Sequence, residues 1–374
     1  MSTSQFLPLR TRCLTAALLL VLGVCLAGPL AARYAVETVS SDLEHPWSLV
    51  FLPDGQMLVS ERAGRLLRLS SDGQTRHEIR GVPESAVRAQ GGLMEVALDP
   101  DWADNGWVYL TQAVEADSGY ATRLLRGRLD GNDWVDNQVL FTARTSHRRP
   151  VHYGARLAFL PDGTLLMGIG DGFDEREQAQ RLDNHSGTIV RLNRDGSVPT
   201  DNPFLERTGA LPEIFSYGHR NPQGLVVEAH SGRIWSHEHG PRGGDELNLV
   251  RPGANYGWPV VTHGVDYSGA QITPHRSQPG MEDPLIDWTP SIAPAGMSIY
   301  QGALFTGWQG DLLVASLVDR SIRRIELDGD AVVSEEKLEL GIDRRLRDVR
   351  VGPDGALYLL TDHRDGEILR VTPQ

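Results

Sequence analysis

The segment LVFLPDGQMLVSERAGRLLRL, Leu49–Leu69, sets an apolar run on either side of Pro53-Asp54-Gly55 and then a third, returning run. Proline presets φ at the second position of a turn, and glycine tolerates the positive φ that follows. Pro-Asp-Gly between apolar runs therefore predicts a hairpin. Alternation over Gln56-Met57-Leu58-Val59-Ser60 fits a strand. The unit recurs from Leu157 (LAFLPDGTLLMGIGDG) and Val349 (VRVGPDGALYLLTDHRDGEILRV), with looser copies from Gly224 (GLVVEAHSGRIWSHEHG) and Gly302 (GALFTGWQGDLLVASLVDRSIRRIEL). Trp107–Phe141 reads as a degenerate copy. Helical periodicity is scarce, and only Glu175–Leu182 suggests a short helical turn.

Radially repeated four-stranded sheets make a β-propeller. The expected fold is all-β, with six blades and the last strands closing the ring with the first. A two-sheet sandwich competes, but a body of about 340 residues is long for one sandwich. The 374-residue chain is 40% hydrophobic, which supports a large core, and its 40 glycines and 22 prolines suit many short strands and turns. Lysine and arginine number 36 against 49 acids, a formal net charge of −13. That balance argues against nucleic acid as a partner.

Cys13 and Cys25 are the only two cysteines, and both lie in an apolar run ending near Ala32. No disulfide framework, thiolate zinc site or cysteine nucleophile is available beyond it. Arg10 and Arg12 precede the run and small residues end it, so residues 1–32 read as a secretory signal, with Ala27 and Ala32 as candidate cleavage points. An uncleaved anchor is the alternative, because roughly 20 apolar residues span a bilayer. Cleavage would leave residues 33–374 as one propeller domain with 34 basic and 49 acidic residues, a net charge of −15. No further membrane segment is expected, and the protein is read as periplasmic or secreted.

Four segments are more polar and glycine-rich than blade scaffold requires: Ala89–Leu93, Val151–Arg156, Tyr217–Gly224 and Glu238–Glu246. They fall between blade copies, where loops of one face converge. His152 suits a general base, because imidazole titrates near neutrality; a structural histidine is the other reading. His237 and His239 have metal-ligand spacing, but no clear third ligand adjoins them and Pro241 ends the strand, which disfavours zinc or copper. The carbonyls of Gly240 and Pro241 with the carboxylates of Asp245 and Glu246 suit calcium better, against a plain solvated acidic turn. Arg345 and Arg347 share a face at strand spacing, with Arg220 a possible third, and such a set fits either a polyanion or ordinary surface charge. Gly168-Ile169-Gly170-Asp171-Gly172 is no dinucleotide fingerprint, because no βαβ unit surrounds it.

Together these segments resemble the soluble quinoprotein sugar dehydrogenases, the glucose/sorbosone dehydrogenase-like family, and within it the bacterial periplasmic aldose sugar dehydrogenases. The likeness runs from His45-Pro46-Trp47 to the end. It rests on Gln90-Gly91-Gly92, His152-Tyr153-Gly154, Arg220-Asn221-Pro222-Gln223-Gly224, Glu238–Glu246, Asn255-Tyr256-Gly257-Trp258-Pro259 and Arg345-Leu346-Arg347-Asp348. The resemblance implies a six-bladed propeller that holds pyrroloquinoline quinone (PQQ) and calcium. It implies that His152 takes the proton of a sugar's anomeric hydroxyl while hydride passes to the quinone. It implies that Gln90, Arg220, Asn221, Tyr267, Arg345 and Arg347 hold the cofactor, and that the Gly240 and Pro241 carbonyls hold calcium. Glu246 and Tyr256 match a second, structural calcium site of the family. One departure is Val318, where the family usually has a lysine that contacts the quinone; Arg320 is a candidate replacement. Two other readings stand beside this one: a calcium-dependent propeller hydrolase such as a lactonase, and a non-catalytic exported propeller that binds carbohydrate or protein.

Overall fold

The Pro-Asp-Gly turns form as the residue types dictate. In the computed structural model, which describes residues 1–3, 33–117, 119–145 and 147–374, Gly55, Gly163 and Gly355 all have positive φ. Their amides donate to the carbonyls of Leu52, Leu160 and Gly352. Asp54, Asp162 and Asp354 each accept from the backbone amide two residues on, which closes the turn from the side-chain side. The secretory leader expected over residues 1–32 lies outside the described residues, apart from the first three.

Each turn joins the first and second strands of an antiparallel, four-stranded blade, and there are six blades. The first holds Pro46–Phe51, Met57–Glu61, Leu66–Leu69 and Arg76–Glu78. The second holds Leu93–Leu98 and three long strands, Val108–Ala116, Gly119–Asp130 and Asp133–Thr142; this is the degenerate copy. The third runs from Leu157–Phe159 through Leu165–Ile169 to Ile214–Tyr217, and the fourth from Pro222–Val227 through Ile234–Glu238 to Ile286–Trp288. The fifth starts with Pro294–Ile299 and Leu312–Ser316, and the sixth with Leu346–Val351 and Leu357–Thr361. Tyr34–Leu43 completes the sixth blade by pairing antiparallel with Gly366–Pro373, so the start of the body closes the ring with its end. The short helical turn expected near Glu175 is a 3₁₀ segment, Arg176–Gln180.

Polar–apolar alternation is not what the blades show. Met57–Glu61 is buried throughout, and so are the second strands of the third to sixth blades. Met57 and Val59 pack with Tyr358 and Leu360 of the sixth blade, while Leu58 packs with Val96 and Leu110 of the second. Alternate side chains enter two different blade–blade cores, so both faces of the strand are apolar.

Two features that recur around the ring build the pocket. First, five of the six innermost strands carry a register shift near their start: Pro46/Ser48, Leu93/Val96, Pro222/Gly224, Pro294/Met297 and Leu346/Asp348. An extra residue at such a bulge re-aims a side chain; Trp47, Met94, Gln223 and Arg347 line the central cavity. Second, the residue just after the second strand also lines it: Arg62, His239, Leu317 and Asp362. Beneath the cavity the channel is closed by buried charges. Glu95 pairs with Arg156 (2.8 Å) and Arg350 (2.6 Å), and Asp348 with Arg350 (2.8 Å) and Arg156 (3.3 Å).

Candidate active site

His152 precedes the first strand of the third blade and Asp171 follows its second strand, so the Pro161-Asp162-Gly163 hairpin brings them together. His152 Nδ1 lies 2.7 Å from Asp171 Oδ1. The other carboxylate oxygen accepts from Trp258 Nε1 at 2.8 Å, and the Phe173 amide donates to Oδ1 at 2.8 Å. Burial opposes ionisation of Asp171, but His152, Arg220 and the Phe173 amide outweigh it and hold the carboxyl below its ordinary value. An ionised carboxylate only accepts, so the shared proton belongs to Nδ1 and the lone pair to Nε2. Burial lowers the His152 pKa, and Asp171 offsets part of that shift, so the imidazole is neutral at pH 7. His152 has φ +55, and its amide donates to Gln90 Oε1 at 2.9 Å. Gly170 is required here: a Cβ on it would fall 1.9 Å from the His152 carbonyl oxygen.

The cavity next to His152 is lined by Gln90, Tyr153, Asn221, Gln223, His239, Arg62, Arg345, Arg347 and Asp362, among others. Arg345 and Arg347 reach the same Asp362 oxygen at 3.4 and 3.1 Å, and His45 Nδ1 lies 3.2 Å from the other. Burial alone would raise the Asp362 carboxyl, but Arg347, His45, Arg345 and Arg62 hold it far below the carboxylate range. Three guanidiniums thus line the cavity against one carboxylate. The Nε of Arg347 is buried with no hydrogen-bond partner.

Arg220 and Tyr267 form the adjoining wall rather than the cavity lining. The Arg220 side chain lies 5.3 Å from the Trp258 ring and 5.9 Å from that of Tyr267, which is 58% exposed. Tyr267 stacks on Phe173, whose ring meets His152 edge-on at 5.3 Å. Glu238 holds the Arg220–Asn221 turn by accepting from both backbone amides.

The two expected calcium sites fit unequally. Arg220 Nη1 donates to the Gly240 carbonyl at 2.6 Å, so a cation there faces a guanidinium. Asp245 does not point outward to an ion. Its carboxylate accepts from the Gly240 amide, Ser291 and the Ala293 amide, and so folds the loop. At the second site Glu238, Glu246 and Asp287 face one another across three strands of the fourth blade. Loss of hydration, with Glu238, Asp287 and Asp245 nearby, pushes Glu246 well above its ordinary value. Asp287 Oδ2 and Asn248 Oδ1 are buried without hydrogen-bond partners, and His263 Nδ1 lies 4.0 Å from Asp287 Oδ2. Like charges directly opposite are unfavourable, and a hard cation would satisfy all three features. Among the described residues no three histidine, cysteine, aspartate or glutamate side chains already converge to hold a metal, so main-chain and amide oxygens would have to contribute. The Tyr256 hydroxyl is engaged with Leu249 and Arg251, which leaves its carbonyl as its ligand atom.

His237 and His239 form no joint metal site. His237 is buried with both ring nitrogens unpartnered, whereas His239 Nε2 lies 2.6 Å from the Pro294 carbonyl. Burial lowers both pKa values, that of His239 to about 3. Val318 is 58% exposed, one residue past Leu317 at the cavity-lining position, and Arg320 pairs with Asp343 instead of replacing a lysine. Asp171, Trp258, Asp362 and Arg62 escaped the sequence reading as site residues. Superimposing the repeats would have flagged Arg62 and Asp362, since both directly follow a second strand.

The glucose/sorbosone dehydrogenase family matches residues 43–370. The aldose sugar dehydrogenase YliI of Escherichia coli is 39% identical over 94% of this chain and 97% of its own length. Quinoprotein glucose dehydrogenase B of Acinetobacter calcoaceticus is 29% identical over 87% of this chain and 85% of its own. The PQQ-bound form of an aldose sugar dehydrogenase from Streptomyces coelicolor superimposes with a TM-score of 0.75 at 29% identity, covering 92% of this chain and 99% of that one. A match from residue 43 to residue 370 draws on all six blades, and the chain belongs to the glucose/sorbosone dehydrogenase family.

Proposed function

We propose that the protein is a PQQ- and calcium-dependent dehydrogenase that oxidises the anomeric carbon of aldose sugars to lactones. The observation that carries this reading is the buried pair of neutral His152 and ionised Asp171 beside a cavity whose lining has more cations than anions. A tricarboxylate cofactor suits that excess of cations, and a neutral sugar presents the hydroxyl that an imidazole can deprotonate. The leader-like N-terminus and a body without cysteines support export to the periplasm or beyond. Among the described residues, no helix is long and apolar enough to cross a membrane.

PQQ, when bound, supplies the acceptor for the hydride that leaves the anomeric carbon. Gln90, Arg220, Asn221, Tyr267, Arg345 and Arg347 are the residues proposed to hold it, with Gly240 and Pro241 offering carbonyls to calcium. His152 Nε2 takes the hydroxyl proton. Asp171 keeps Nδ1 protonated and stabilises the imidazolium that forms, and Trp258 keeps Asp171 in place. The test is to add PQQ and calcium to purified protein and follow dye reduction over a panel of aldoses. No reduction with any aldose, or lactone hydrolysis without PQQ, would overturn the assignment.

Two results should accompany it. Calcium and PQQ are expected to bind cooperatively, because Arg220 occupies the Gly240 carbonyl until a carboxylate draws it away. Calorimetric titration of each with and without the other measures this, and PQQ affinity unchanged by a chelator would remove calcium from the site. Asp171→Asn should shift the acid limb of the kcat–pH profile. Asp171 raises the His152 pKa, so without its charge His152 stays neutral to lower pH and the limb moves to lower pH. Meanwhile kcat should drop, because the imidazolium loses its counter-charge. A limb that stays in place would show that His152 is not the titrating group.

A further inference from the structure

Arg62 belongs to none of the motifs that carry the family likeness, yet it directly follows the second strand of the first blade, a position that faces the cavity in four blades. We infer that Arg62 is an anion-binding residue of this cavity and takes a carboxylate of the polycarboxylate cofactor; this rests on the proposed quinoprotein reading. Arg62 is half-buried, and its guanidinium has no ion pair or side-chain hydrogen bond among the described residues. A shortage of nearby acids is not the cause. Three residues on, Arg65 pairs with Glu61 at 2.6 Å and Glu44 at 3.6 Å. Asp362, the carboxylate of the cavity, is already shared by Arg345, Arg347 and His45.

The Arg62 backbone is held in place. Its amide donates to the His45 carbonyl at 3.1 Å, and a Cβ on Gly92, which has φ +151, would fall 1.8 Å from the Arg62 carbonyl oxygen. The second glycine of Gln90-Gly91-Gly92 is therefore what lets the second blade pack against this segment. Burial lowers the Arg62 pKa; Asp362 offsets part of that shift, while Arg347 and Arg345 close by add to it, so the surroundings on balance disfavour its charge. A half-buried guanidinium beside two others is stabilised by an anion placed among them. A neutral sugar offers none, whereas a polycarboxylate offers several.

The test titrates PQQ, with calcium present, into wild-type protein, Arg62→Gln and Arg62→Lys, reading tryptophan fluorescence or heat. Arg62→Gln should weaken binding roughly 10–100-fold, the range for a lost charge-assisted hydrogen bond. Its affinity should also depend less on ionic strength. Arg62→Lys should recover part of the loss. The cofactor-free Arg62→Gln protein should melt no lower than wild type, because the change removes no hydrogen bond or ion pair and burial costs Arg62 more than its attraction to Asp362 returns. Wild-type affinity and salt dependence in Arg62→Gln would overturn the inference while leaving the functional reading standing. Failure of the wild-type protein to bind PQQ would instead overturn that reading, and this inference with it.

Discussion

His152→Ala is expected to retain PQQ and calcium while turnover falls by roughly 10²–10⁴, the usual share of a general base. The loss should fall on kcat, since Nε2 acts as the proton leaves rather than in holding the bound sugar. In the wild-type protein the rate should fall as pH drops through a midpoint below the ordinary histidine value of about 6.5. The sign follows from burial, which lowers the His152 pKa, with Asp171 only partly restoring it. Protonated imidazole cannot accept the hydroxyl proton, so activity belongs to the high-pH side. A purely structural histidine predicts a different pattern, with lower stability and occupancy but normal turnover per bound quinone. Rate per bound cofactor separates the two, and an unchanged value would end the catalytic assignment.

Glu95→Ala is expected to cost about 3–5 kcal/mol of stability, read as a lower urea midpoint. Burial alone would raise the Glu95 carboxyl, but Arg350 and Arg156 hold it below its ordinary value. Removing it leaves Arg156 and Arg350 in the channel with Asp348 as their remaining counter-ion. The damage should reach the pocket above. Arg156 donates to the Gln223 carbonyl at 2.9 Å and the Arg347 carbonyl at 3.3 Å, and lies 4.0 Å from the Trp47 ring. These are three of the bulge residues that line the cavity, so weaker PQQ binding should accompany the lost stability. A variant with wild-type stability would show that water or a shifted Asp348 replaces the carboxylate.

The site was legible in proportion to how local its contacts are. His152, the Arg220–Asn221 turn and the Arg345/Arg347 pair stood out because each sits in a short motif beside a recognisable strand. The hairpin register also carried a usable signal for Asp171. Pairing Leu157 with Met167 across the Pro-Asp-Gly turn extends to place residue 152 beside residues 171 and 172. Read as a failed dinucleotide fingerprint, that glycine-rich segment lost its other meaning, which is room for the carbonyl of His152 against Gly170. Val318 shows what spacing alone leaves open: the position weighed for its missing charge is exposed, one residue beyond Leu317, which lines the pocket.

Turn chemistry and short-range pattern act over a few residues, and from them the sequence alone determined the strands, the Pro-Asp-Gly hairpins, the repeat and so the propeller. Which face of a strand is buried was not decided there, because the alternation of a blade strand separates two apolar cores and leaves no polar side to read. Only the closed ring brought Arg62 beside Arg347 and Asp362, residues from the first and last blades, and set Trp258 of the fourth blade on Asp171 of the third. Such contacts depend on how six sheets pack around one axis. That packing is settled by the summed burial of all the blade interfaces, and no single stretch of chain encodes it.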